Sequence, residues 1–235
     1  MKKRTFVQQS LKHYWRTHLA VLLGVVAGTS VISGALIVGD SVRESLKQMS
    51  LDRLGRVDLA VHSHRFFRQD LAGNLAEADN AYLAQFEEAV PALILDGALT
   101  RMTEDGSVVA RAGRIRIYGI DERFAGVSEF TKDSLPTSFE NADGQTVSQI
   151  VLSDRVATQI AAKPGEKLSL FVEVPSNIPR DALLGDRDEQ QNALIEVTVA
   201  EALSPTSAVG RFDLNPSQQL PSIVFVPLKA LQEEL

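Results

Sequence analysis

The chain has 235 residues, 30 acidic and 24 basic, a formal net charge of −6 and no cysteine. A chain of this size can bury a core without a disulfide framework, and its acidic balance excludes a basic footprint for nucleic acid. It also has no G-x-x-x-x-G-K-[ST] loop, no G-x-S-x-G elbow, no H-E-x-x-H and no cysteine-based metal spacing, so no cofactor is expected and the chain is not read as an enzyme.

Residues 1–18 hold Lys2, Lys3, Arg4, Lys12 and Arg16 and no acid. On a helical wheel Val7, Leu11, Tyr14 and Trp15 share one face, opposite Gln9, Lys12, His13 and Arg16, which suits an amphipathic elbow lying along lipid headgroups. From Leu19 to Val38 there follow twenty residues without a charge, Asn, Gln or Pro, eleven of them Leu, Ile or Val. As a helix this run covers about 30 Å, the thickness of a bilayer's hydrocarbon core, and it is apolar on every face. A cleaved secretory signal would have a shorter apolar core ending at a small-x-small site, whereas this one runs through Leu36, Ile37 and Val38 into Gly39 and Asp40. The positive flank before the span and the balanced flank after it place the N-terminus in the cytoplasm and residues 39–235 outside. Taking the five positive charges of residues 1–18 from the total of −6 leaves −11 for residues 19–235. Within the span Gly24 and Gly28 stand four apart, as do Ser30 and Gly34, a spacing that lets a second helix approach closely.

Residues 39–56 predict a stalk helix, with Val42, Leu46 and Met49 on one stripe, Ser41 and Glu44 as a capping box, and Gly55 at its end. The extracytoplasmic domain, residues 57–235, is expected to be mixed α and β in two sub-blocks, about 57–130 and 150–235, an α+β class overall. Its first block predicts a strand over 57–61, helices over 68–78 and 81–90, and strands over 93–101, 107–112 and 114–120. In the last of these Ile115, Ile117 and Gly119 alternate with Arg114, Arg116 and Tyr118 as on a half-buried strand. Residues 131–149 read as a long polar loop. The second block predicts a strand over 150–152, a helix over 154–162 behind an N-cap at Ser153, strands over 168–174 and 193–202 flanking a polar excursion at 175–192, a strand over 222–226, and a helix from Pro227 to Leu235.

Two clusters invite a metal reading. His62 and His64, two apart on a predicted strand, would face the same way, yet no third ligand is in sight and a solvated strand end beside Arg65 and Arg68 competes. Asp186, Asp188 and Glu189 cluster around Arg187, but without the alternating oxygen spacing of a calcium loop they read as an exposed charge run, and no metal is expected there.

The elbow SLKHYWRTH, the span end GALIVGDSV, the stalk RESLKQMSLDRLGRVDLAV, the segments RIRIYGIDERF and VLSDRVATQIAAKPGEKLSL, and the ending GRFDLNPSQQLPSIVFVPLKALQ together resemble the N-terminal part of FtsX-like permeases, the group that includes MacB-like and lipoprotein-releasing ABC transporters. The resemblance covers nearly the whole chain and rests on the order of its elements. It implies a bacterial inner-membrane permease subunit whose first span leads into a large extracytoplasmic domain. Its implied partners are membrane lipid, a cytoplasmic ABC ATPase, and other permease spans or a homodimer partner, with motion passed through the spans to the outer domain. A single-pass anchored binding or scaffold domain is the alternative, and a membrane-tethered enzyme a third reading.

Overall fold

The computed structural model describes residues 3–63, 65–76, 87–103, 105–131, 134–140, 146–174, 192–215 and 219–235. The chain divides into two compact units, Met1–Ser50 and Leu51–Leu235.

The first unit is helical. α1 spans Lys3–His13 and α2 spans Trp15–Leu54, a single helix of 40 residues or about 60 Å. Tyr14 lies between them without a break in bonding, since its N–H donates to Ser10 at 3.0 Å and its carbonyl accepts from His18 at 3.0 Å. Thr29 Oγ1 bonds back to the Val25 and Val26 carbonyls at 2.9 and 3.1 Å, which satisfies a hydroxyl inside an apolar stretch. The expected capping box at Ser41 and Glu44 does not form, because the helix runs through both residues and leaves no free N–H groups there to cap.

The second unit is built on β1 (Leu93–Met102), β2 (Val108–Ile120), β3 (Ser138–Glu140), β4 (Thr146–Ser153), β5 (Lys167–Glu173), β6 (Asn192–Leu203) and β7 (Ile223–Pro227). The order is β3-β4-β6-β5-β1-β2-β7, and β7 also pairs with β4 through Val151↔Phe225 and Leu152↔Val224. Six strands therefore close into a ring, with β3 appended to β4. Both halves of the domain contribute to it: β1 and β2 stand side by side, and β5, β6, β4 and β7 complete the circuit. Two parallel pairings, β2 with β7 and β4 with β6, sit among antiparallel neighbours.

Five short helices accompany the ring, α3 (Asp70–Ala76), α4 (Phe124–Val127), α5 (Asp154–Ile160), α6 (Ala208–Arg211) and α7 (Leu228–Glu234), and the last four pack residues against its strands. One core holds Leu99, Ile115, Ile117, Ile150, Leu152, Leu170 and Val224 together with Ile160 of α5 and Leu231 of α7. The alternate residues of the same strands, Tyr118, Val151, Phe225 and Ile223, join Phe124, Phe130, Val209 and Phe212 in a second, aromatic core. Strands β2, β4 and β7 are thus apolar on both faces where they meet, and all five residues of β7 are buried. At Gly97 the ring comes so close that a Cβ would collide with the Phe171 carbonyl and sit 2.7 Å from Ile117 Cδ1, which only glycine permits.

Several expectations change. Residues 57–61 form no strand, because the ring closes without them. The strands expected over 107–112 and 114–120 are one strand. Gly97 pairs with Ile115 and Ala98 with Gly113, so Arg114 bulges out at φ 54° while the ladder continues. The loop expected over 131–149 contains β3 and the start of β4, since its Ser and Thr residues line an edge ladder. The helix expected over 68–78 begins at Asp70, with 77–78 outside the described residues. Of the helix expected over 81–90, Glu87–Val90 are not helical and 81–86 lie outside the described residues, as does most of the 175–192 excursion.

Candidate functional site

The foot of α2, from Leu51 onward, is where a helix long enough to cross a membrane becomes part of the folded domain. Gly55 ends it in the left-handed region at φ +60°, and a Cβ there would lie 3.2 Å from the Val127 carbonyl. Three segments then hold the helix end. Arg56 N–H donates to the Val127 carbonyl at 3.1 Å, Asp213 N–H donates to the Arg53 carbonyl at 3.1 Å, and Arg53 Nη1 donates to the Gln219 carbonyl at 2.9 Å. The first two bonds satisfy a loop donor and a helix carbonyl that the helix end would leave open. Arg53 is only 6% exposed, and its cation sits in the last turn, where the helix dipole is negative.

Below this foot lies the aromatic core. Val57 packs against it, and its rings meet edge to face, Phe130 with Phe225 at 5.0 Å and 85° and Phe124 with Phe212 at 5.4 Å and 84°. One carboxylate, Asp213, ties the foot to the ring. Its Oδ1 accepts from Arg116 Nη1 at 3.2 Å, Tyr118 Oη at 3.4 Å and Asn215 N–H at 3.0 Å, while its own N–H holds Arg53. Burial pushes the Tyr118 phenol up to about 12, and the neighbouring Asp213 charge adds to the rise. For Arg116, burial works against its charge, but Tyr118, Asp213 and Asp96 outweigh it, so its pKa is raised and it remains a cation. The arrangement is a fixed, charge-assisted clamp with no nucleophile poised in it.

The residues singled out in the sequence lie elsewhere. Leu19 and Val38 are exposed on α2, and positions 24 and 28 have open space around them, with nothing within 4 Å of an added Cβ. His62 is exposed, whereas His64, Asp186, Arg187, Asp188 and Glu189 lie outside the described residues. Among the described residues no group of three or more His, Asp or Glu could hold a metal. An open depression of about 420 Å³ is lined by Gln69, Asp70, Gly73, Asn74 and Arg123, but Arg123 is engaged by Asp121 at 2.7 and 2.9 Å. The clamp escaped the sequence reading because Asp213 and its partners are far apart in the chain. The one hint was an aspartate between two apolar residues, the buried Phe212 and the half-buried Leu214.

α2 is the one helix among the described residues long and apolar enough to cross a membrane, and none of its most apolar stretch is buried. The model of the MacB-like periplasmic core domain family matches residues 19–235, from the start of the apolar run to the end of the chain. The chain belongs to that family. A MacB-like periplasmic core domain is the extracytoplasmic domain of an ABC-transporter permease type, so the apolar helix and the α+β domain are those of a membrane protein with an extracytoplasmic segment. Proteins of this family are transporter permease components that work with a membrane and a cytoplasmic ATPase. A comparison with curated proteins gives no match.

Proposed function

We propose that this chain is the N-terminal portion of an inner-membrane ABC permease of the FtsX, MacB and lipoprotein-release type, and that it carries ATPase-driven motion to its outer domain. In this reading residues 1–18 are a cytoplasmic elbow, 19–38 the span, 39–56 the stalk and 57–235 the extracytoplasmic domain. The observation that carries it is the unbroken helix from Trp15 to Leu54 whose last turn is clamped by Arg53, Arg56 and Asp213. An uninterrupted helix resists bending, and a foot bonded to three segments passes a push or twist into the ring. Gly24 and Gly28 give the span a face on which a neighbouring permease helix packs.

The test is a flexible Gly-Ser insertion after Gln48 in the chain co-purified with its ATPase. The insertion should leave membrane insertion and assembly intact but abolish coupling between ATP hydrolysis and motion of the domain, read by spectroscopic distances within it. Undiminished coupling would show that the helix is only a tether.

A further inference from the structure

We propose that residues Val57–Ser63 form an antiparallel two-strand ladder with the same segment of a second copy of this chain. Val57, Leu59 and Val61 alternate with Asp58, Ala60 and His62, a strand pattern, yet no strand of the domain pairs with this stretch among the described residues. Leu59 and Val61 are 54% and 67% exposed, and Phe66 and Phe67 just beyond are more than half exposed. Natural proteins guard an open strand with Pro, Lys or a covering loop, and residues 57–63 contain neither Pro nor Lys.

A second copy fits because the segment is complementary to itself. Antiparallel pairing keeps facing residues on one side of the ladder, so only registers that match apolar face to apolar face are sound. Centred on Ala60, the pairing sets Leu59 opposite Val61 and Asp58 opposite His62, an acid against an imidazole, twice over. Centred on Leu59 it would instead place Arg56 against His62. A two-fold axis relating two copies in one membrane generates such an isologous contact. Charge permits the same place: residues 59–69 hold no acid, whereas residues 19–235 together carry −11, so two acidic domains can meet here without carboxylates crowding the seam. A lone two-strand ladder is weak in solution, but copies tethered to one membrane have a high effective concentration.

The absence of native cysteine makes the register measurable. In the full chain in membranes, oxidised Ala60→Cys should give at least about tenfold more disulfide-linked dimer than Val61→Cys, because residue 60 faces itself at about 5 Å while residue 61 lies about 8 Å from its copy, beyond disulfide reach. Leu59→Cys mixed with Val61→Cys should cross-link like Ala60→Cys. Adding Asp58→Arg to the Ala60→Cys chain should reduce its linking, and His62→Asp on top of both should restore it. Equal linking at 59, 60 and 61 would indicate mere collision, and no linking at 60, whether the chain is monomeric or dimerises through its span, would leave some other occupant for this strip. Each of these results overturns the proposal.

Discussion

Asp213 shows how much one carboxylate does in this domain: it accepts three hydrogen bonds through Oδ1, and its own N–H holds the last turn of a 40-residue helix. Tyr118 beside it is fully buried, with its pKa pushed up to about 12 from the ordinary 10.0. An unfolded chain ionises this phenol near its ordinary value while the folded domain resists. The stability it contributes is therefore fully present below pH 10 and is lost as pH rises from 10 through about 12. At about 1.4 kcal/mol per unit the loss approaches about 3 kcal/mol. Denaturation between pH 8 and about 12 should show this component in the wild type and not in Tyr118→Phe, and tyrosinate absorbance should show one of the three tyrosines ionising late. Identical pH dependence of both proteins would mean that the phenol is not shielded. Sequence alternation placed Tyr118 on the open face with Arg114 and Arg116, and it missed the covering layer because α4 and α6 are four residues each, too short to display a helical period.

Among the elements, those with a strong period were legible and those made by distant contacts were not. The expected strands at 93–101, 168–174, 193–202 and 222–226 became β1, β5, β6 and β7 within a residue or two, and the helix behind Ser153 became α5. Ser153 stands at the N-cap position, yet its hydroxyl accepts no bond from the helix; it accepts from Ile223 N–H at 3.0 Å and so fastens β4 to β7. Local rules gave its position, and a strand seventy residues away took its chemistry. The closure of the ring was also invisible, since it rests on only two paired positions between β4 and β7. In the span, Gly24 and Gly28 stand four apart, the spacing that would let a neighbouring helix approach closely. Gly28→Leu should therefore weaken association of the span with its neighbours, read by cross-linking in membranes, while insertion persists because the change raises hydrophobicity. Unchanged association would mean that these glycines face lipid.

The whole molecule has one apolar helix long enough to cross a membrane and a domain whose closed six-stranded ring carries a second, aromatic core, and the MacB-like periplasmic core domain family matches 19–235. The functional account depends on the two ends of that helix lying on opposite sides of a membrane. Because the chain has no cysteine, single cysteines report side without background. The decisive measurement compares Ser10→Cys with Ser204→Cys in intact cells whose outer barrier has been opened, using a thiol reagent that cannot cross the inner membrane. Ser204→Cys should label at once, and Ser10→Cys only after the inner membrane is permeabilised. Labelling of Ser10→Cys in intact cells, with Ser204→Cys protected, would contradict the account.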